Sequence, residues 1–449
     1  MNPQILGTPR HVRGLVSRYS GKFAVAITCA LLLGPGSVLA GYHDAPNTVQ
    51  IGKVTVAPRD AKTATVSFDV SWRGWRHEIN HLAVWTFFKV RAEGDSDWQH
   101  VRLVADKVLN PAGYRQEGGT PLDYIVPRGG DGLIGMFLRR SEPGQGTIEA
   151  TKVTAVWDFT ANKNITRDVK VNMRAFAIEM VYVPDGPFNL GSGGAEICTF
   201  FMYTDGVHND TPYRVTGPGA IPTGRQNGKL WSGKGAAPED GGEIPAAFPN
   251  GYAAFYCMRS YIRAGEYAGF LDTLPEEEAA KHYIERSRII RSKNPPYTYR
   301  CENAPDHTTG GLSWADGAAF GAWAGLRPIT ELEYEKASRG PMEPGWETGH
   351  SLQYNSYWDI KDFNGWKTDC IHPVTVANAA GRRFKGTHGR GTTELPTDWP
   401  QGDAVGAGSR GGWTHRHPSN RAAAATLSPD RAPHQKWRGV RTAPKEVGP

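Results

Sequence analysis

Leu312-Ser313-Trp314-Ala315-Asp316-Gly317-Ala318-Ala319-Phe320-Gly321-Ala322-Trp323-Ala324-Gly325-Leu326-Arg327-Pro328-Ile329-Thr330-Glu331-Leu332-Glu333-Tyr334-Glu335-Lys336-Ala337 reads as two helices joined by a turn. Ser313 followed by Asp316, and Thr330 followed by Glu333, each have the spacing of a capping box, in which two residues satisfy each other's backbone N–H groups. Gly325 stops the first of these helices, and Gly340-Pro341 stops the second. Upstream, Ala264 to Leu274 predicts another helix, with Tyr267, Phe270, Leu271 and Leu274 on one face. Phe255 to Met258 precedes it as a strand, and Met180 to Gly191 reads strand, turn, strand. Between these lies Gly217 to Gly242, rich in Gly and Pro and expected to be a long loop. Beyond Pro341 the chain is irregular, with Trp346, Trp358, Trp366, Trp399, Trp413 and Trp437 as anchors for loop-dense structure.

Residues 41–174 have a different character. Val54 to Val56, Thr65 to Trp72, Ala83 to Val90, Leu133 to Leu138, Val153 to Phe159 and Val169 to Met173 are β-branched and aromatic, separated by Gly/Pro/Asn clusters and without sustained helical period. They predict an all-β sandwich. The expected fold class is therefore α+β: a sandwich over 41–174 followed by a mixed domain over 175–449.

The first 40 residues predict a cleaved export signal. Arg10, Arg13, Arg18 and Lys22 form a basic stretch, Phe23 to Leu33 is apolar, and Val38-Leu39-Ala40 supplies small residues for cleavage. The apolar run falls short of the roughly 20 residues that span a bilayer. A secreted or periplasmic location follows, with no transmembrane anchor after cleavage. Removing four cations lowers the formal charge from +6 to +2, because 51 Lys and Arg become 47 against 45 Asp and Glu. A near-neutral mature chain gives no footprint for nucleic acid. Cys198, Cys257, Cys301 and Cys370 could form two disulfides in an oxidising compartment, with three connectivities open.

In their order, these landmarks resemble the formylglycine-generating-enzyme (sulfatase-modifying-factor) family. The Leu312 to Ala337 block carries the likeness most specifically. Met180 to Gly191, Phe255 to Leu271, Arg410 to Trp413 and Trp437 to Arg441 add to it, so that it spans about Met180 to Thr442. The resemblance implies a C-type-lectin-like fold. In that family a cysteine pair after an Arg-Gly-Gly-Ser strand binds copper and oxidises a substrate cysteine to formylglycine. Here the strand reads Arg410-Gly411-Gly412-Trp413, His415 and His417 follow, and no cysteine lies beyond Cys370. Thiolates select cuprous copper, so copper is not expected. The family's calcium motif is degraded to Asn364-Gly365-Trp366-Lys367-Thr368-Asp369, which leaves calcium in doubt.

No catalytic residue can be assigned. The implied cleft gives Arg410, Trp413, His415, His417, Arg421 and Trp437 as binding candidates. Three readings are open. One is a family-like binding module for a protein, peptide or glycan, a pseudoenzyme in effect. Another is an oxidoreductase with a non-haem metal held by His415 and His417. The third is a modifying enzyme with thiols relocated to Cys301 or Cys370. His77 and His81 flank Glu78 at metal-ligand spacing, but in a loop entering a strand, which favours a structural role. No Ser-His-Asp order, phosphate-binding glycine loop or zinc-type cysteine spacing is present.

Overall fold

The computed structural model describes residues 49–104, 115–127, 133–194, 199–205, 210–232, 242–285, 287–301, 305–344, 355–363, 371–411 and 427–445. The fold is mostly β, with several antiparallel sheets and four α-helices among the described residues. The first nine strands are β1 (Gln50–Pro58), β2 (Thr63–Arg76), β3 (Leu82–Ala92), β4 (Gln99–His100), β5 (Gly118–Gly119), β6 (Leu122–Ile125), β7 (Met136–Arg140), β8 (Gly144–Asp158) and β9 (Val171–Val183). The helices are α1 (Ala264–Leu271), α2 (Glu276–His282), α3 (Trp314–Trp323) and α4 (Glu331–Arg339).

Two sheets organise the chain. The smaller runs β1-β2-β8-β5. The larger places β6, β7, β3 and β9 side by side, with β4 on β3, and continues through the strands Phe255–Met258, Gly439–Thr442 and Arg327–Pro328. The two sheets enclose one core, in which Val66, Phe68 and Trp72 of β2 meet Val84 and Phe88 of β3 and Val181 of β9. The alternate residues of the large sheet (Trp85, Phe87, Ile178, Met180, Tyr182) face the opposite way, onto Tyr267 and Phe270 of α1 and Phe320 and Trp323 of α3. This is the period-two alternation of a strand buried on both faces. It explains why β3 reads as a nearly continuous apolar run.

β9 is the long strand of this sheet. It pairs with β3 from Val171 to Val181 and with Phe255–Met258 from Met180 to Val183. The expected division between 174 and 175 falls inside it, so strands from both sides of that division share one hydrogen-bonded sheet.

The predicted helices form at their predicted caps. Ser313 Oγ accepts from Asp316 N at 3.1 Å while Asp316 Oδ2 accepts from Ser313 N at 2.9 Å. Thr330 and Glu333 do the same for α4, at 3.1 Å each way. Gly325 and Gly340 end these helices with φ of +72° and +66°, values that favour glycine. α3 is buried on nearly every side: Phe320 and Trp323 pack toward the large sheet, whereas Trp314, Ala318 and Ala322 pack into a third core with Phe188, Leu230 and Trp399. An all-round apolar helix belongs in such a place.

Other elements were not expected. α2 has Glu276, Glu277 and Glu278 in its first turn and Lys281 and His282 in its last, matched to the helix dipole. Ile289–Arg291 pairs with Tyr299–Cys301. Within the expected loop of Gly217 to Gly242, Ile221–Pro222 pairs with Glu243–Ile244, and Leu230–Ser232 pairs with Phe200–Met202. Trp358, Trp399 and Trp437 are buried anchors, as expected; Trp346, Trp366 and Trp413 lie outside the described residues. Among the described residues no helix is long and apolar enough to cross a membrane. Residues 1–40, where an export signal is expected, lie outside the described residues.

Gly317 and Gly321 of α3 lie against the Trp437 indole; a Cβ at these positions would meet ring atoms at 2.2 and 2.4 Å. Gly317→Ala should therefore lower stability by about 1–3 kcal/mol through overpacking, despite the gain of roughly 1 kcal/mol in helix propensity. Combining it with Trp437→Leu should recover part of that loss. Denaturant titration reads both effects, and a G317A protein more stable than wild type would show that the contact does not hold.

Candidate functional site

The cleft candidates separate into buried and undescribed residues. Arg410, on the strand Ala407–Gly411, is fully buried. Its Nη1 lies 2.6 Å from Glu335 Oε1 and its Nη2 lies 3.3 Å from Glu331 Oε2, both on α4. Arg339 joins the same cluster 3.3 Å from Glu335. The guanidinium also lies 5.1 Å from the Phe200 ring centroid. Trp437 is buried against α3. Both residues occupy the interior. Trp413, His415, His417 and Arg421 lie outside the described residues, as do Cys198, Cys370 and Asn364 to Asp369. Among the described residues no group of three metal-ligating side chains is present.

Cys257 and Cys301 form no disulfide with each other. Cys257 is buried on Phe255–Met258, and burial pushes its thiol up to about 12, the range of an inert structural cysteine. Cys301 ends the strand Tyr299–Cys301. His77 is exposed in the loop after β2, whereas His81 is buried at the start of β3. The His81 ring stacks on Tyr182 at 4.7 Å, and its Nε2 lies 2.9 Å from the Tyr256 hydroxyl. Burial and the neighbouring Arg139 hold it neutral, far below the ordinary histidine range. The two histidines do not converge.

What the structure does bring together is an open groove of about 730 Å³ where the end of β2 meets the turn at Tyr357 to Asp359. One wall carries Arg73, Trp75 and His77, with Gln145 opposite on β8, where Trp75 and Gln145 are register partners. The other wall carries Tyr357 and Asp359. Arg259, one residue past Phe255–Met258, forms the floor. Its guanidinium carbon sits 4.8 Å from the Trp75 ring centroid, its Nη2 3.2 Å from Asp359 Oδ2 and its Nη1 3.5 Å from Glu179 Oε1. Arg259 Nε is buried with no hydrogen-bond partner among the described residues. A buried N–H left in this way is destabilising by about 1–3 kcal/mol, so such groups call for a specific explanation.

The groove is locally well supported. Asn80 Nδ2 donates to Trp358 O at 3.3 Å, tying the loop before β3 to the turn. Asp359 holds φ of +65°, uncommon outside glycine, with Asn355 Nδ2 donating to its Oδ1 at 2.6 Å. Ser356 Oγ accepts from the backbone N–H groups of Trp358 and Ile360, at 3.1 Å each. Strained, hydrogen-bonded loop residues beside a concavity are a recurrent property of binding sites. Of the groove residues, only His77, weighed as half of a histidine pair, and Trp358, read as an aromatic anchor, stand out in the sequence; the others come from distant segments that share no motif.

No known protein family and no curated protein sequence matches this chain.

Replacing Arg410 with Met should destabilise the protein by roughly 3–5 kcal/mol, because Glu331 and Glu335 would be left buried without their shared cation. The same change should leave binding in the groove unaltered in whatever protein remains folded. Thermal unfolding of R410M checks the first expectation; a Tm within error of wild type would remove Arg410 as a structural keystone.

Proposed function

We propose that this chain is an exported, formylglycine-generating-enzyme-like protein that acts as a binding module and not as a formylglycine-generating oxidase. Under this reading the mixed region after β9 is C-type-lectin-like, and the ligand is a glycan or a similarly hydroxyl-rich chain held in the groove of Trp75 and Arg259. One observation carries the binding part. An aromatic ring, a stacked guanidinium with an unpartnered N–H, and the planar polar side chains of Gln145, Asn80 and Asp359 converge on one open groove. Ring faces match the C–H faces of sugars, and planar amide and carboxylate groups match paired hydroxyls.

The rejection of the oxidase rests on the sequence: no thiol lies beyond Cys370, so the cysteine pair after the Arg-Gly-Gly strand is missing. Arg410 and Trp437, two of the residues that the family likeness would assign to its cleft, are engaged in the interior. Export is supported by the basic, apolar and small-residue segments of residues 1–40.

Two experiments follow. Co-expression with a Cys-x-Pro-x-Arg peptide should leave its cysteine unmodified by mass spectrometry, and metal analysis should find no stoichiometric copper or iron. Formylglycine on the peptide, or a full equivalent of metal lost on His415→Ala, would restore the oxidoreductase reading. Titration against neutral and acidic oligosaccharides should give binding that Trp75→Ala weakens by tenfold or more, which corresponds to about 1.4 kcal/mol. Binding untouched by both Trp75→Ala and Arg259→Ala would place the ligand elsewhere.

A further inference from the structure

A second concavity, of about 260 Å³, has Arg263 in its lining, and Arg263 shares Glu179 with Arg259 of the groove. Its walls are mainly apolar: Phe87, Phe176, Phe320 and Trp323 line it, together with Ile51 and Ile178. Cavities of about 150 Å³ with such walls hold a benzene-sized molecule, so this one has space for a ring and a short chain.

One rim is the free edge of β9. Tyr182 N bonds to His81 O, so the even-numbered residues of β9 direct their backbone groups toward β3. Glu179 O accepts from Arg259 N, so the odd-numbered ones face the other way. The partner strand on that side reaches only as far as Met180. Ala175 and Ala177, which line the cavity, therefore present backbone groups without a ladder partner among the described residues.

The charged groups around the cavity are unequally matched. Arg174 pairs with Asp272 at 2.7 Å, and Arg263 pairs with Glu179 at 2.7 Å. Glu266, on the first turn of α1, is partly buried and accepts the backbone N–H of Arg263 at 2.9 Å, but makes no ion pair among the described residues. Arg300 and Cys301 complete the polar lining. The chemistry that this site lacks is a cation.

We propose that this cavity binds a small primary amine with an apolar body, its ammonium group on Glu266 and the carbonyl edge of β9, its body among Phe87, Phe176, Phe320 and Trp323. A carboxylic acid would find the three lining guanidinium groups, Arg174, Arg263 and Arg300, already engaged, and a neutral molecule would leave Glu266 without an ion-pair partner. Burial raises the Glu266 carboxyl to about 7, with Arg263 lowering it and Glu179 raising it further. An ammonium ion binds the carboxylate form. Its affinity should therefore be fully expressed above that range and fall as the pH drops through it, because the carboxyl must first release a proton.

The test is isothermal titration of the full mature chain with benzylamine, benzyl alcohol and phenylacetate. At pH 8 benzylamine should bind at least tenfold more tightly than either analogue, and its affinity should drop by about tenfold or more at pH 5.5. Glu266→Gln, which keeps a capping-box acceptor at that position, should abolish the preference for the amine. Equal affinity for amine and alcohol, tighter binding of phenylacetate, or no binding of any of the three would overturn the proposal. So would a benzylamine affinity in wild type that is the same at both pH values, an outcome that does not depend on how well the variant folds.

Discussion

The structure depends on β9 being hydrogen-bonded on both sides. Its first eleven residues pair with β3, and its last four pair with Phe255–Met258. Everything else is placed by those two ladders. β3 brings the small sheet against one face, and Phe255–Met258 brings α1 and the C-terminal strand against the other. Because side chains alternate along β9, one strand feeds two cores at once: Val181 and Val183 go to the first, Ile178, Met180 and Tyr182 to the second. A one-residue slip would exchange the two sets and bring Glu179 into the aromatic face. Register is thus fixed far more strongly here than in a strand with one solvated side.

Burying so much of the chain also buries charge, and the fold matches cations to anions in fixed clusters. Glu331, Glu335, Arg339 and Arg410 form one. Arg327 and Glu333 form another, at 2.6 Å, with Glu333 also capping α4. Glu179 with Arg259 and Arg263 forms a third. The first two are closed within the interior. The third differs, because Arg259 also forms the floor of the open groove and Arg263 stands beside the cavity of Glu266. Through Arg259 and Arg263, Glu179 joins two concavities whose linings share no residue. Occupation of one should be felt electrostatically by the other, since charges in a poorly solvated interior are weakly screened.

How much of this could be read in advance follows from the range over which each signal acts. The caps at Ser313 and Thr330 and the stops at Gly325 and Gly340 depend on residues within a turn of one another, and they appear where the sequence places them. α2 carried an equally local signal in its acidic first turn and basic last turn, which the irregular context of that segment obscured. The short ladders inside Gly217 to Gly242 were illegible because two- and three-residue strands carry no period of their own. α4 misleads in another way: its composition suits a solvated surface, yet every residue from Glu331 to Arg339 is buried, because its partners Arg410 and Arg327 supply the compensating charge. The groove lay beyond sequence reading for the same reason. Trp75 acquires a role only once Arg259 is stacked on it.

The shared strand also bears on how such a protein can be taken apart or recombined. A chain cut near 174 would strand most of β9's pairing partners in one fragment and the rest in the other. Each piece would then carry an open apolar edge of the kind that invites pairing with other chains. The two halves therefore depend on each other for pairing: an exchange that replaced the C-terminal region alone would have to bring its own complement to β3, and tolerated crossovers should fall outside the span from β3 to Phe255–Met258.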